Sequence, residues 1–302
     1  MKATLKWTGI VLGTLAGLLV IGMLLLYGAG RMRLNKKYEV SIVPVAIPGD
    51  PESLTEGKRI FQYRGCEACH GEELQGLVYM DNPALGQVIT PNLTSGQGGI
   101  GSQRTDEDLV RAIKHGLRPD GTPLLFMPST EFYFLSDADL GRVLAYIRSM
   151  PPVDRETQAS ALSFTGFRAM NIVKSITFLP AELIPHDTTP PPTPEPGVTA
   201  EYGEYLALSC MVCHGLTLSG GEIPGFPTEW PATPNLTSGY GSRLPPWKEA
   251  GFIQIIRNGT KHGRSINSLY MPWKSYRYMT DDELRAVYLY LMSLPPMDFG
   301  NR

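Results

Sequence analysis

The sequence contains two copies of the pattern Cys-x-x-Cys-His, at residues 66–70 and 210–214, and these use all of its cysteines. Two thiols at this spacing attach to the vinyl groups of a haem, and the adjacent histidine supplies a nitrogen ligand to the iron. A thioredoxin-like pair or half of a zinc site has the same spacing. The first needs a surrounding βαβ unit and the second needs further Cys or His ligands nearby, and neither context is present. The sequence therefore predicts two covalently attached haem c groups, with attachment at Cys66, Cys69, Cys210 and Cys213 and iron ligation by His70 and His214.

The methionines provide a candidate for the second axial ligand of each haem. Met127 and Met271 each lie 57 residues beyond the motif histidine and are each followed by proline, and the other methionines form no such pair. The remaining histidines are not repeated, since His115 aligns with Asn258. We predict Met127 and Met271 as iron ligands, because His/Met ligation raises the reduction potential and leaves no open iron site. The alternative is that both are buried core residues.

A polar heptapeptide, Thr-Pro-Asn-Leu-Thr-Ser-Gly, occurs at residues 90–96 and again at 233–239. We interpret Asn92 and Asn235, with the neighbouring hydroxyls, as bonding haem propionates or fixing the loop over the haem edge. A turn bonded to itself is the alternative. Arg104 aligns with Trp247, and either side chain has an N–H that is a candidate donor to a propionate.

Motifs, methionines and loops all belong to a repeat with an offset of 143 or 144 residues. Each copy ends in an amphipathic helix with apolar residues at i, i+3, i+4 and i+7, opened by Ser136 or Thr280 and stopped by a Pro-Pro pair. Ser53 with Glu56 predicts a capping box before the first helix, and Thr199 is the corresponding cap in the second copy. No alternating strand pattern of useful length occurs. The sequence thus predicts an all-α fold with two tandem domains.

The repeat and the segments around it divide the chain into four predicted parts. Residues 1–40 form an N-terminal transmembrane anchor, 41–153 the first domain, and 198–302 the second domain. Residues 154–197 form an inter-domain segment with one helix and a proline-rich linker.

The anchor is predicted from residues 9–30, which are uncharged and long enough to cross the hydrocarbon core as a helix. A cleaved signal peptide is the alternative, but the apolar run exceeds a typical h-region and ends in a poor cleavage site. Four basic residues follow the run and two precede it, so the positive-inside rule alone places the domains in the cytoplasm. Attachment of haem c takes place on the outer face of the bacterial cytoplasmic membrane, and we therefore predict periplasmic domains.

Charge excludes one class of function and distinguishes the two domains. With 27 basic and 29 acidic residues, the chain lacks the excess of positive charge that is typical of nucleic-acid-binding proteins. Residues 53–153 contain 9 basic and 12 acidic residues, whereas residues 198–302 contain 9 of each. Because complementary charge steers transient redox partners, the first domain is expected to dock a soluble basic partner and the second to exchange electrons with a membrane complex or with the first haem. The alternative is that the excess negative charge of the first domain only keeps its surface solvated.

These features resemble the class I cytochrome c domains in multihaem cytochrome subunits of bacterial membrane-bound alcohol and gluconate dehydrogenases. Beside the motifs, the resemblance includes Asp106-Glu107-Asp108-Leu109, Met127-Pro128 and Leu179-Pro180-Ala181-Glu182. Those subunits generally carry three haem domains, and this chain has two.

The sequence as a whole predicts a membrane-tethered dihaem cytochrome c that transfers single electrons and is not itself an enzyme. Expected partners are membrane lipid, a quinol-oxidising or dehydrogenase complex, and a terminal oxidase or soluble cytochrome. A catalytic dihaem oxidoreductase of the peroxidase or thiosulfate type, with one open haem, and a gas-binding sensor are the alternatives.

Overall fold

The computed structural model describes residues 2–173, 177–188, 192–223, 230–242, 248–261 and 263–302. Its first element is the long helix α1, Lys2–Leu34. The most apolar window of this helix has a mean hydropathy of 2.5, and by length and composition it is able to cross a membrane. Most of its apolar side chains up to Leu25 have no protein neighbours that cover them.

The first domain contains five helices: α2 (Pro51–Tyr63), α3 (Cys66–His70), α4 (Asp106–His115), α5 (Ser129–Phe132) and α6 (Asp137–Ser149). Helices α2 and α6 pack together. The Ser136 side chain caps α6 as predicted. The prediction that Ser53 caps the first helix was wrong, because α2 begins at Pro51 and the Asp50 side chain accepts a hydrogen bond from the Ser53 backbone. Proline is favoured at a first helical position since its missing N–H has no intrahelical partner there.

The second domain repeats this plan with four helices among its described residues: α8 (Ala200–His214), α9 (Glu249–Asn258), α10 (Trp273–Tyr276) and α11 (Asp281–Ser293). Thr199 caps α8, and Thr280 forms a capping box with Glu283 at the start of α11, as the sequence predicts. Helices α8 and α11 pack as closely as α2 and α6 do. Gly203 permits this approach, since a Cβ there would overlap the carbonyl oxygen of Ala286.

The sequence predicts an all-α fold, but the structure is mainly helical and also contains short β-strands. Three of them, β1 (Val78–Asn82), β2 (Gly86–Ile89) and β3 (Ala161–Leu162), form an antiparallel sheet, and β4 (Thr260–Lys261) pairs with β5 (Arg264–Ser265). The register aligns Val78 with Ile89 and Gly86 with Leu162. Strands of two to five residues are too short to show a periodic pattern, and β3 pairs with a strand more than 70 residues earlier, so this sheet has no local signal in the sequence.

The segment after the first domain packs onto that domain and onto the anchor. It contributes β3, helix α7 (Phe164–Ile172) and a 3₁₀ helix (Pro180–Leu183). Helix α7 packs against α1. The backbone N–H of Phe126 in the first domain donates to the Phe178 carbonyl at 3.0 Å. Residues 189–191 of the predicted proline-rich linker lie outside the described residues.

The two domains share one continuous cluster of buried apolar side chains. It includes Phe61 and Leu144 from the first domain and Leu206 and Leu284 from the second. Polar contacts cross the same interface as well. Among them, Arg59 forms a bidentate ion pair with Glu283, and the Tyr205 hydroxyl donates to Asp139 at 2.7 Å. The repeat units therefore pack face to face instead of being separate units on a flexible linker.

Candidate functional site: the two haem-attachment motifs

The second motif lies at the C-terminal end of α8. His214 is buried, and its Nδ1 lies 2.9 Å from the carbonyl oxygen of Pro234. A carbonyl can only accept, so Nδ1 carries the proton in this pair, and Nε2 is left as the nitrogen able to bind a metal. Pro234 belongs to the repeated polar heptapeptide. One function of that loop is therefore to hold the histidine ring in a ligating orientation.

The first motif has the same arrangement, although it lies on the separate short helix α3. The Nδ1 of His70 is 3.3 Å from the carbonyl oxygen of Pro91, the residue equivalent to Pro234. Burial lowers the pKa of His70 to about 4 and also lowers the pKa of His214. Both rings are thus neutral at pH 7, which is the form that binds iron.

All four cysteine side chains are half-buried. Burial raises the pKa of the Cys66 and Cys210 thiols to about 12, and it also raises the pKa of Cys69 and Cys213. In the polypeptide without haem these groups are protonated at pH 7. Each thioether would form by net addition of one cysteine sulfur and one hydrogen to a haem vinyl group.

A cavity of about 320 Å³ lies beside the second motif. Cys210, Cys213, His214 and Met271 all line it, so the structure brings together the attachment residues and both predicted iron ligands of this domain. Its walls are largely apolar and include Leu206, Phe252 and Ile256, together with Tyr63 of the first domain. An apolar pocket with two thiols on one side and a histidine and a thioether sulfur along its walls fits a haem c.

Asn92 and Asn235 do not have a free donor for a propionate. Each is completely buried, and each side-chain oxygen accepts from the backbone and hydroxyl of the threonine two residues later. The amide hydrogens of Asn92 are donated to the carbonyls of Val153 and Arg155, and Asn235 donates to Met297 and Tyr240. These bonds correct the interpretation as propionate ligands: both asparagines tie the polar loop to the chain that leaves the last helix of the domain.

The remaining candidates occupy less defined positions. Met127 is half-buried between Phe126, which has a φ of 58°, and Pro128. Arg104 is half-buried and its carbonyl accepts from Arg148, so a contact between its side chain and a propionate stays a prediction. Trp247 lies outside the described residues.

Two charged residues at the junction of the motifs were missed by sequence reasoning. Arg64 is buried, donates to the Ser209 hydroxyl at 2.9 Å, and lies over the rings of Tyr63 and Tyr205. Among the described residues, its Nε and Nη2 atoms have no hydrogen-bond partner. Because Arg64 is two residues before Cys66, and Ser209 immediately precedes Cys210, this bond links the chain segments that flank the two motifs. The only signal in the sequence was that Arg64 has no arginine counterpart in the second copy.

Glu131 is the second of these residues. Burial raises the pKa of its carboxyl to about 7, and the nearby Arg64 charge lowers it. Its charge contributes, after burial, to the raised pKa of each of the four thiols. Glu131 therefore lies within electrostatic reach of both motifs, on the short helix α5 that follows Met127.

The two motifs, their histidine orientation and the shared helical plan define a cytochrome c with two haem domains. The cytochrome c family profile matches residues 54–151 and 200–295, and the chain belongs to this family. The family and the two Cys-x-x-Cys-His motifs show covalently bound haem c.

Three relatives show the range of similar proteins. The cytochrome c subunit of a quinone alcohol dehydrogenase from Gluconacetobacter polyoxogenes is 26% identical over 82% of this chain and 57% of its own length. The fructose dehydrogenase cytochrome subunit of Gluconobacter japonicus is 28% identical over 80% and 53%, so the chain spans little more than half of these subunits. A diheme cytochrome c-type protein of Cereibacter sphaeroides is 24% identical over 93% of the chain and 99% of its own length.

Proposed function

We propose that this protein is a membrane-tethered dihaem electron carrier that passes single electrons between a membrane dehydrogenase or respiratory complex and an acceptor. The observation that carries the proposal is the contact between the residues that flank the two motifs. The Arg64–Ser209 hydrogen bond joins residues next to Cys66 and Cys210, and Tyr63 of the first domain lines the cavity of the second. Such close packing suits transfer of an electron from one site to the other within a single chain.

The residues of the chain perform three tasks in this function. His70 and His214 are kept neutral by burial and oriented by proline carbonyls, and Met127 and Met271 would complete the axial ligation. The shared apolar core excludes water, which reduces the reorganisation that accompanies a change in charge. Haem c, when bound, supplies a reversible one-electron couple.

Helix α1 supports the location of the protein. By length and composition it is able to span the membrane, and the relatives named as dehydrogenase cytochrome subunits are consistent with a membrane partner. We place the haem domains on the outer face, because haem c is attached there. The protein acts as an electron-transfer subunit and leaves substrate oxidation to its partner.

The test uses the holoprotein reconstituted in vesicles, with its midpoint potentials and spin states measured. We expect two low-spin haems, a methionine-to-iron charge-transfer absorption for both, and reduction of both by membranes that contain an active dehydrogenase. The double variant Cys210→Ala/Cys213→Ala retains one haem and should break transfer to the acceptor. A haem that is high-spin in the wild type and turns over peroxide or thiosulfate would overturn the proposal in favour of a catalytic oxidoreductase.

A further inference from the structure

We propose that helix α7 lies in the lipid interface beside α1 and holds the first haem domain against the membrane surface in one orientation. The occupant of its exposed apolar face is therefore lipid. This inference rests on the proposed function in one respect, that α1 spans the membrane. It adds that the connection between the anchor and the domain is a fixed joint and not a flexible tether.

The depth of α7 follows from where it contacts α1. The uncharged stretch of α1, residues 9–30, is about 33 Å long as a helix, against a hydrocarbon thickness of about 30 Å. Residues 26–34 therefore lie at the outer boundary of the hydrocarbon. The Phe164 ring stacks on Tyr27 with centroids 5.1 Å apart, and the Asn171 side-chain amide donates to the Leu26 carbonyl at 2.9 Å.

The contacts between the two helices stay within the last part of α1. Phe164 lies against Tyr27, and Asn171, near the other end of α7, contacts both Leu26 and Arg33. Both ends of α7 therefore lie beside residues 26–33 of α1, at the outer boundary of the hydrocarbon.

Close packing makes the joint rigid. Gly30 is buried, and a Cβ at this position would overlap the Phe167 carbonyl oxygen of α7. The Arg33 guanidinium donates to Asn171 Oδ1 at 3.1 Å, to the Met170 carbonyl, and to both carboxylate oxygens of Glu182. Arg33 therefore connects the end of the anchor to α7 and to the 3₁₀ helix at the same time.

The surface around this joint has the chemistry of an interfacial segment. Phe164 is 43% exposed, Ile172 59% and Leu183 65%, although all three are apolar. Exposed cations accompany them at the end of α1, at Arg31, Lys36 and Lys37. Apolar and aromatic side chains at the hydrocarbon boundary with basic residues beside them are typical of helices that lie in the interface and attract anionic lipid.

This placement has a consequence for the first haem site. A cluster of buried apolar residues contains Phe167 and Phe178, with Phe126 packed against it, so it runs from α7 to the residue before Met127. The loop that carries Met127 is thereby on the side of the domain nearest the anchor. The first haem is then the one presented to a membrane partner, which reverses the assignment that domain charge predicts.

Nitroxide labels test this placement in the holoprotein, because the native cysteines are consumed as thioethers and a single added cysteine is specific. We would label Ile172→Cys in vesicles of phosphatidylethanolamine and phosphatidylglycerol and compare collisions with oxygen, which partitions into lipid, and with a water-soluble nickel chelate. Tyr240→Cys, at a site 86% exposed on the second domain, is the matched aqueous control. We expect the oxygen-to-nickel collision ratio at residue 172 to exceed that at residue 240 several-fold.

A label at Leu15→Cys, in the middle of α1, separates failure of this inference from failure of the anchor. If residue 15 shows a lipid environment and residue 172 behaves like residue 240, α1 spans the membrane and the placement of α7 is wrong. Shielding of residue 172 from both reagents would identify a second copy of the chain as its cover and would also overturn the inference. If residue 15 itself is aqueous, the proposed membrane anchoring fails.

Discussion

The two haem domains approach their attachment motifs by different backbone paths. In the first domain α2 ends at Tyr63, Gly65 adopts a φ of 77°, and the motif starts the new helix α3. In the second domain α8 continues without a break from Ala200 through His214. The contact that anchors the helix pair is the same in both, since Gly57 fits against the Arg142 carbonyl as Gly203 fits against that of Ala286.

The comparison shows which parts of the domain are geometrically fixed. From Gly57 to Cys66 there are two residues more than from Gly203 to Cys210. The extra residues are accommodated by breaking the helix, while the histidine bond to the proline carbonyl is kept. Arg64 lies in this longer connection, and the break places it between the two domains. A difference in length at one motif thus introduces a buried cation that the other domain does not provide.

The loops that follow differ as well. Phe126, before Met127, has a left-handed backbone and is held by the Phe178 carbonyl of the inter-domain segment. Before Met271, Tyr270 packs on Trp230 within the second domain. The first methionine loop is therefore supported by a segment outside the repeat, and the second by its own domain.

The largest expected effect tests whether both domains use the same axial ligation. Met127→Ala and Met271→Ala should each convert one of the two haems to a high-spin form with a lower potential and leave the other unchanged. Electron paramagnetic resonance and redox titration of the two holoproteins measure this. Two low-spin haems with unchanged potentials in either variant would show that the methionine in question is a core residue.

The helix pair is packed through the same kind of glycine contact in both domains, and an added methyl group at Gly57 or Gly203 tests this contact. Gly203→Ala should destabilise the second domain by about 2–3 kcal/mol, because the added methyl group has to displace a backbone carbonyl in a packed helix pair. Gly57→Ala should have a similar effect on the first domain. Chemical denaturation followed at each haem measures both.

Gly251→Ala is the control for these two variants. Gly251 lies in helix α9 with no atom within 4 Å of the added Cβ, so the substitution should be neutral or stabilising by up to about 1 kcal/mol. Equal stability of all three variants would refute the close-packing argument.

Arg64 and Glu131, the two charged residues near both motifs, test the asymmetry between the domains. A buried cation favours the reduced haem, so Arg64→Leu should lower the midpoint potential on the order of 60 mV, a tenfold change in the equilibrium constant. Glu131→Gln should raise it at pH 8, because burial raises the pKa of Glu131 to about 7 and the wild-type carboxyl is ionised above that value. Spectroelectrochemical titration of both haems is the measurement. Potentials that do not move in either variant would mean that the interface charges are screened.

The smallest expected effect concerns pH and the His115–His186 contact, where the two Nδ1 atoms are 3.0 Å apart. Burial and then the His186 charge lower the pKa of His115 to about 4, below its ordinary value of about 6.5. The unfolded chain therefore binds more protons in this range, and stability should fall as pH decreases from about 6.5 towards 4. The other charged or aromatic groups near the pair are Arg111, Lys114, Lys36, Asp187, Tyr38 and Tyr133.

His115→Asn gives the first domain the residue that the second domain has at position 258. We expect this variant to lose less stability than the wild type between pH 7 and pH 5, measured by thermal unfolding of each haem domain. An identical loss in both proteins would assign the pH dependence to other groups.

Sequence alone determined the chemistry of the two motifs and most of the helices. Cys-x-x-Cys-His carries its function in consecutive residues, and helix caps such as Thr199 and Ser136 act over three or four positions. Both can therefore be recognised from residues that are neighbours in the sequence. The membrane-length helix is evident for the same reason, because its signal is a continuous apolar run.

Tertiary structure decided what those local features contact. Asn92 bonds carbonyls about 60 residues later in the chain, and Arg64 meets Ser209 only because the two domains pack face to face. The short sheet and the packing of α7 against α1 likewise depend on partners far apart in sequence. Such contacts depend on the packing of distant segments, and neither residue spacing nor domain charge specifies how distant segments pack.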